Sequence, residues 1–220
     1  MDKFVNLQNK VDYCENKEFS DSHLTKLIAD YALEEKFVVG HIGRFHVAKN
    51  HIFLLNVFKE IRKFKNNAIL MLVGDGELRA EIESEIEKLG LKESVILTGQ
   101  QSNVERFYSL FDVLVFPSLY EGLPGTIVES QAAAVPALVS ENVTKDVAVT
   151  DYVKYLELEK SYEEWAKATL SFYEENYKSR SANFEKRYAD TAKRLKDNGF
   201  DVKSEPAILE KYYLEMLNQK

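Results

Sequence analysis

Short aliphatic runs alternate along this chain with longer segments in which apolar residues recur at helical spacing. The runs predict strands at 36–42, 68–73, 94–98, 112–116 and 136–140, followed by a short extended piece at 152–158. Nearly every position in these runs is apolar, which indicates strands that are buried on both faces. The pattern therefore predicts a parallel sheet covered by helices.

The segments between the runs predict the crossover helices of that sheet. Helical spacing extends over 50–63, 77–89, 104–110 and 124–134, and further helices are expected from about Ser161, over 179–196 and over 204–217. Ser161 and Glu164 have the spacing of a helix-capping pair, and Asn198-Gly199 indicates a break. We expect an α/β Rossmann-like fold, a parallel sheet with helices on both faces, plus C-terminal helices.

Composition excludes several function classes. The 220 residues carry a net charge of −7 with a pI near 5.3, which argues against binding to nucleic acid. Cys14 is the only cysteine, so no internal disulfide is expected and a reducing compartment fits best. No signal peptide is evident, and the apolar runs are too short to span a bilayer. We expect a soluble cytoplasmic protein that could meet the inner face of the membrane through a partner.

The candidate chemistry lies in loops that follow the predicted strands. In parallel α/β sheets, ligands bind beyond the carboxyl ends of the strands. Arg44 and Lys49 follow the first strand, and the second is followed by Gly74-Asp-Gly-Glu77. Gly99-Gln100 follows the third strand, and the segment 120–129 follows the fourth. These loops should meet at one edge of the sheet.

The segment 120–129 places two carboxylates, Glu121 and Glu129, around the start of a predicted helix. Pro124 suits the first helical turn, because its missing N–H would have no partner there. The N–H groups of Gly125 and Thr126 would then form an anion site, since both the unpaired donors and the helix dipole favour negative charge. Both carboxylates can border this pocket.

Cations in the first loop complete this picture. Arg44 can contact phosphate oxygens with its fork of donors, and Lys49 adds a compact positive charge. Glu129 can accept two hydrogen bonds from a ribose diol, as acidic residues do in dinucleotide-binding folds. The residues therefore predict a site for a nucleoside diphosphate that carries a sugar.

Three motifs at these positions resemble a known family. They are Gly40-His-Ile-Gly-Arg-Phe45 with Lys49-Asn50, Leu72-Val-Gly-Asp-Gly-Glu77, and Phe116-Pro-Ser-Leu-Tyr-Glu-Gly-Leu-Pro124 with Glu129. In this order and spacing they are similar to the donor-binding half of retaining GT-B glycosyltransferases of the family 4 type, also called glycosyl transferases group 1. The resemblance is strongest to enzymes of capsular and exopolysaccharide biosynthesis.

The resemblance implies roles for individual residues. Arg44 and Lys49 would hold the donor diphosphate and stabilise it as it leaves, while Glu121 would orient the transferred sugar. Glu129 would bind the ribose, and Gly99-Gln100 would meet the base. The remaining positions expected to contact the donor are Gly43, Gly74, Gly122, Leu123, Gly125 and Thr126. The expected donor is a UDP-sugar, the acceptor a saccharide or lipid-linked saccharide, and no metal ion or other cofactor is expected.

The resemblance also implies a division of the chain. Residues 1–34 look like the linker and first helix that enter the donor half, residues 35–160 like the Rossmann-like nucleotide-sugar domain, and residues 161–220 like a helical extension. The acceptor half has no counterpart, so little activity is expected from the isolated chain. A separate acceptor-domain chain or a second copy could supply it by docking on the apolar last helix. One departure from the family is Ala134, where many members carry glycine.

Other interpretations of the same residues remain open. Two carboxylates also occur in glycosidases, although those enzymes need no phosphate site. The chain could instead be a non-catalytic nucleotide-binding or interaction module, and an epimerase of UDP-sugars is a weaker option. His41, His46 and His51 recur every five residues but span a strand, a loop and a helix, which does not suit a zinc pair. We interpret His46 and His51 as structural or solvated, whereas His41 could lie near the donor. Trp165 is interpreted as a packing residue.

Overall fold

The computed structural model describes residues 21–180 and 184–200. Cys14, most of the linker-like segment and the helix predicted at 204–217 lie outside these residues. The strands are β1 (Phe37–Ile42), β2 (Ala68–Val73), β3 (Val95–Leu97), β4 (Val113–Phe116), β5 (Ala137–Ser140) and β6 (Val153–Leu156). They form one parallel sheet in the order β3-β2-β1-β4-β5-β6. The predicted Rossmann-like α/β fold is confirmed.

Helices follow most of the strands. They are α1 (Asp21–Asp30), α2 (His51–Phe64), α3 (Arg79–Lys88), α4 (Glu105–Tyr108), α5 (Gly125–Ala132), α6 (Tyr162–Arg180) and α7 (Phe184–Asp197). Short 3-10 turns lie at Val47–Lys49, Lys92–Ser94 and Lys145–Val147. The helix predicted over 179–196 was wrong at its start, because α6 continues to Arg180 and α7 begins at Phe184. The sequence does not mark this junction, since both segments have helical spacing.

Successive side chains of the strands point to opposite faces of the sheet, and both faces are covered by helices. Val38 packs in a core with residues of α1, α4, α5 and α7, whereas Val39 packs in a second core with α2, α3 and α6. Trp165 is fully buried in the second core and donates to the Glu157 carbonyl at 2.9 Å, which confirms its interpretation as a packing residue. The sheet is therefore buried on both faces, as its apolar strands predicted.

The capping pair of α6 is also present. The Ser161 hydroxyl accepts a hydrogen bond from the Glu164 N–H at 3.2 Å, and the Glu164 carboxylate accepts one from the Ser161 N–H at 2.9 Å. Both bonds satisfy donors that the first helical turn leaves unpaired. The start of α6 is therefore fixed locally by the sequence.

The strand order places a topological switch between β1 and β4. From β1 the chain proceeds outward through β2 and β3, and then returns to the other side of β1 with β4, β5 and β6. Crossovers that leave in opposite directions open a crevice at the carboxyl ends of the two central strands. The loops after β1 and β4 therefore border the expected binding edge.

Candidate functional site

Two hydrogen bonds join the loop after β1 to the loop after β4. The Leu119 N–H donates to the Ala48 carbonyl at 2.8 Å, and the Asn50 amide donates to the Pro117 carbonyl at 3.2 Å. Asn50 has φ +56° between the 3-10 turn and α2, a left-handed conformation that asparagine tolerates better than most residues. This sharp turn brings Lys49 next to the fourth loop.

Lys49 and Glu121 form an ion pair at this junction. Lys49 Nζ lies 2.6 Å from Glu121 Oε1, and the two side chains are only 16% and 15% exposed. The ammonium also lies 4.7 Å from the centre of the Phe116 ring. Its aliphatic stem packs on Gly43, where an added Cβ would lie 3.0 Å from Lys49 Cε. The structure thus brings together two of the three residues predicted to act in catalysis.

Arg44, the third predicted catalytic residue, lies elsewhere. Its guanidinium is 73% exposed and pairs with Glu77 at 3.2 Å. His46 Nε2 lies 3.7 Å from the same carboxylate. The pKa of Glu77 is lowered, chiefly by a hydrogen bond from its own backbone N–H and further by the nearby Arg44 charge. Arg44 therefore faces the loop after β2, whereas Lys49 faces the loop after β4.

The loop that holds Glu121 is supported by a buried amide. Glu121 forms a β-bridge with Val143 in the loop after β5. That loop is tied to α5 by Gln131, which is fully buried and donates to the Val147 carbonyl at 2.7 Å. Gln131 Oε1 also accepts from the N–H and the hydroxyl of Thr150, at 3.0 and 2.9 Å. Because the donor and the acceptor of this buried amide are both in hydrogen bonds, Gln131 fixes α5 relative to the loop after β5. That loop in turn supports Glu121 through the β-bridge.

The first turn of α5 lies beside the end of β1. Pro124 precedes the helix as its N-cap, with φ −73° and ψ 100°, and its carbonyl accepts from the Ile127 N–H at 3.1 Å. Gly125 is therefore the first helical residue, and the placement of Pro124 inside the first turn was wrong by one residue. The Thr126 hydroxyl donates to the Ile42 carbonyl at 3.4 Å. Pro124, as the N-cap residue, offers no side-chain hydrogen bond to this helix start.

Glu129 lies one turn into α5 and contacts a buried phenol. The Tyr108 hydroxyl lies 2.6 Å from Glu129 Oε2 and 3.2 Å from the Thr126 carbonyl. Tyr108 belongs to α4 and is fully buried. This contact could not be predicted from the sequence, because a tyrosine inside a short apolar helix has the pattern of any core residue.

A cleft of about 520 Å³ opens on the other side of Gly43. Its wall includes three residues predicted to contact the donor, Gly43, Gly74 and Gln100, together with Arg44. Gly74 has φ +145°, and a Cβ there would overlap the Gly43 carbonyl oxygen. The Gly74 N–H donates to the Gly99 carbonyl at 3.1 Å. These close approaches explain why glycine follows β2, since a side chain would separate the loops.

The remaining predicted positions lie along the fourth loop. Gly122 is exposed with open space around its Cα, and Leu123 is partly buried against the core that contains α5. Asp75 and Asp112 are occupied structurally, since Asp75 pairs with Arg79 at 3.0 Å and Asp112 accepts from the Val38 N–H at 2.8 Å. Within residues 21–180 and 184–200, we find no group of three His, Cys, Asp or Glu side chains arranged to hold a metal ion.

His41 and His51 form a buried pair beneath Lys49. The rings of His41 and His51 meet edge to face at 4.8 Å, and the His41 Nδ1 lies 2.9 Å from the Val115 carbonyl. Burial, and then the Lys49 charge, lower the pKa of His51 to about 4. Burial and the neighbouring His51 hold the pKa of His41 well below its ordinary value. Both rings are therefore neutral near pH 7.

His46 is partly exposed and has a structural role. Its Nδ1 accepts from the Ala48 N–H at 3.2 Å and so caps the 3-10 turn that leads to Lys49. The interpretation of His46 and His51 as structural or solvated is confirmed, with His51 on the structural side. Their residue spacing gave no sign that His51 would pair with His41, because that contact depends on how α2 packs on β1.

Known proteins are similar to this chain in sequence and in fold. EpsF of Bacillus subtilis, which is named as a glycosyltransferase, is 38% identical over 133 residues, covering 60% of this chain and 35% of EpsF. The UDP-Gal:alpha-D-GlcNAc-diphosphoundecaprenol alpha-1,3-galactosyltransferase of Escherichia coli is 32% identical over 109 residues, covering 47% of this chain and 28% of that protein. The chain thus spans about one third of the length of the curated relatives it matches.

Solved structures agree on the fold. The crystal structure of HepE from Anabaena in complex with UDP-glucose superposes with a TM-score of 0.71 at 20% identity, covering 91% of this chain and 54% of HepE. A similarity at this identity shows a common fold, the Rossmann-like α/β unit described above. In the part of the chain that the structure describes, no helix is long and apolar enough to cross a membrane. The sequence profile described as glycosyl transferases group 1 matches residues 25–194. Since that match covers most of the sequence, the chain belongs to the glycosyl transferases group 1 family.

Proposed function

We propose that this chain is the donor-binding half of a retaining glycosyltransferase that takes its sugar from a nucleoside diphosphate, most simply a UDP-sugar. The observation that carries the proposal is the Lys49–Glu121 pair at 2.6 Å, since Glu121 belongs to the loop that leads into α5. A largely buried ammonium, paired with a carboxylate in the loop that enters a helix with a proline N-cap, is a suitable place for a diphosphate.

The donor would lie across the edge of the sheet. Its diphosphate contacts Lys49 and the N–H groups of Gly125 and Thr126, and its ribose contacts Glu129. The base enters the cleft next to Gln100, and Arg44 leaves Glu77 to reach the phosphates. Within residues 35–160, the loops that would hold these parts of the donor follow the strands of the sheet, at the edge where ligands bind in folds of this type.

In this proposal the sugar lies against Glu121, which releases Lys49 to the diphosphate as the donor binds. The bond between the anomeric carbon and the phosphate oxygen breaks, and the acceptor hydroxyl attacks from the same face. The acceptor proton passes to an oxygen of the leaving phosphate. Catalysis of this kind depends on placement and on electrostatic stabilisation of the leaving group.

The relatives support this proposal and extend it to the acceptor. HepE is a structural neighbour determined with UDP-glucose, and the Escherichia coli relative is named for a UDP-galactose donor and a diphosphoundecaprenol-linked acceptor. We therefore propose a saccharide or lipid-linked saccharide acceptor, in polysaccharide biosynthesis at the cytoplasmic side of a membrane. Because the chain spans about one third of EpsF and of the Escherichia coli galactosyltransferase, we expect little transfer from it alone.

A second candidate function is a nucleotide-binding module that works with a separate acceptor-domain chain. Val47, Leu119 and Tyr120 are exposed next to the Lys49–Glu121 pair, and the bond from the Leu119 N–H to the Ala48 carbonyl holds their loops together. Apolar side chains of this size at a binding edge are covered in many assemblies by a partner. Mixing the chain with a candidate acceptor domain and assaying transfer distinguishes the two.

Calorimetry with UDP tests the proposed donor site. We expect binding by the wild-type chain and a loss of roughly tenfold or more in affinity for Lys49→Ala, because a hydrogen bond to a charged group is removed. Lys63→Ala is the matched control, since Lys63 is an exposed lysine of α2 that pairs with Glu60. Equal UDP affinities of wild type and Lys49→Ala, or no heat with millimolar UDP, would overturn the proposed site.

A further inference from the structure

The contact between the Tyr108 phenol and Glu129 is used neither by the sequence motifs nor by the proposed donor path. Its hydroxyl lies 2.6 Å from the Glu129 carboxylate and 3.2 Å from the Thr126 carbonyl. A phenol has a single proton to donate, so these two acceptors compete for it. The contact to Glu129 has the length of a charge-assisted O–H···O⁻ bond, which is the stronger kind. The Tyr108 hydroxyl therefore donates mainly to the Glu129 carboxylate and not to the Thr126 carbonyl.

The packing of the Tyr108 side chain holds its hydroxyl in one position. The side chain is fully buried, and its ring lies 5.9 Å from that of Phe111 in an edge-to-face arrangement. Phe107 and Phe111 are equally buried in the same core. A phenol packed in this way cannot follow a moving carboxylate. The hydrogen bond therefore transmits the position of α4 to the Glu129 side chain on α5.

Glutamate has several rotatable bonds, and an untethered carboxylate on a helix surface samples many positions. Fixing it in advance lowers the entropy cost of binding a ligand that needs it in one place. A carboxylate also has about four acceptor positions, so a bond from Tyr108 is compatible with further bonds from two hydroxyl groups. One oxygen held by a phenol thus sets the orientation of the whole group.

We propose that Tyr108 is a positioning residue for ribose recognition, which orients Glu129 to accept from both hydroxyls of a ribonucleotide. This inference rests on the proposed donor site, and it adds a property that the site alone does not have. The chain should discriminate between ribose and deoxyribose through a residue that never contacts the ligand. Loss of the Tyr108 hydroxyl should weaken that discrimination while the diphosphate contacts remain.

The test compares UDP with 2′-deoxy-UDP on the wild-type chain and on Tyr108→Phe. The wild type should prefer UDP by roughly tenfold, as expected for a hydrogen bond to a charged acceptor. Tyr108→Phe keeps the ring and removes the donor, so the preference should shrink several-fold, mainly through weaker UDP binding. Affinity for 2′-deoxy-UDP should change little.

Two further variants separate positioning from stability. Ile61→Val removes a buried methyl group from α2, in the core on the other face of the sheet, so it should lower the urea midpoint and keep the UDP preference. Glu129→Gln should lose the preference, with Tyr108→Phe adding little to it. These two results, with the reduced preference of Tyr108→Phe, support the inference.

The outcomes distinguish this inference from the proposed function. If the wild type binds UDP and Tyr108→Phe keeps the full preference, the positioning role is wrong and the donor site stands. The role is equally wrong if Tyr108→Phe loses both nucleotides to the same extent, because the side chain is then only structural. A wild-type chain that binds neither nucleotide overturns the donor site and this inference together.

Discussion

The ammonium of Lys49 lies 2.6 Å from the carboxylate of Glu121, although the two residues are 72 positions apart in the sequence. The pair joins the loops after β1 and β4, the two strands that flank the topological switch. Both side chains are largely shielded from solvent, so each charge is stabilised mainly by the other and little by water. A part-buried pair of this kind responds asymmetrically to mutation, because removing one partner leaves the other charge unpaired.

A double-mutant cycle on this pair should reveal strong coupling. Lys49→Met and Glu121→Gln each leave one part-buried group without its partner, whereas the double variant leaves neither charge. We expect a coupling free energy of about 1 kcal/mol or more, within the range seen for residues in contact. Urea unfolding of the four proteins measures it. Additive effects within about 0.3 kcal/mol would mean that the pair does not form in solution.

Ala134 should be a site where glycine stabilises the chain. Its φ is +51°, a left-handed conformation that costs about 1 kcal/mol for a residue with a Cβ, and it follows the end of α5. Ala134→Gly should therefore raise the free energy of unfolding by up to about 1 kcal/mol. Ala132→Gly makes the same chemical change inside the helix and should lower it by a similar amount. Urea midpoints measure both, and a loss of stability with both variants would contradict this assignment.

Ala134 also shows what the sequence could and could not predict. The resemblance marked it as a departure from a family glycine, but its left-handed φ follows from how α5 ends and could not be read from the alanine itself. Five strands were predictable because apolar runs are separated by helical spacing, and the sixth was predictable as the extended piece at 152–158. The observed ends differ from the predicted ones by at most two residues, since a residue at the end of a run pairs only when a neighbouring strand reaches it.

Some features of the candidate site could likewise be predicted from the sequence, and others could not. The segment 120–129 and the cations of the first loop were predictable because loops after parallel strands meet at one edge. Whether Arg44 faces α5 or Glu77 depends on side-chain rotamers at the surface, which no pattern in the sequence records. The Tyr108–Glu129 and His41–His51 contacts were not predicted, because they arise from packing between elements and the local patterns of Tyr108 and His51 are those of ordinary core residues.

Gly40 should tolerate no side chain. It lies in the middle of β1, and an added Cβ would overlap the ring of Phe111, which is buried and has no room to move. Gly40→Ala should lower the free energy of unfolding by about 1–3 kcal/mol through overpacking. Gly122→Ala is the matched control, because an added Cβ there would meet open space and should change stability by less than about 0.5 kcal/mol. Equal urea midpoints of the two variants would show that the strand can shift to make room.

The free energy of unfolding should decrease as the pH falls from 6.5 to about 4, because of His51. Its pKa is lowered from 6.5 to about 4, by burial first and by Lys49 second, so the unfolded chain takes up the proton more readily than the folded one. The free energy of unfolding contributed by this group is therefore fully present above pH 6.5 and is lost progressively as the pH falls toward 4. The full loss is roughly 3 kcal/mol. Neither ring nitrogen of His51 has a hydrogen-bond partner among the described residues, so His51→Phe can keep the packing while it removes the titration.

Urea unfolding of wild type and His51→Phe at several pH values between 4 and 6.5 checks this linkage. The difference between the two stabilities should change steadily with pH, with the variant losing less stability as the acid is added. Ile61→Val is the control for general destabilisation, because it removes a buried methyl group from α2 and introduces no titratable group. Its stability should lie below that of wild type by the same amount at every pH. A pH dependence of His51→Phe identical to that of wild type would mean that the ring is not buried beside Lys49 in solution.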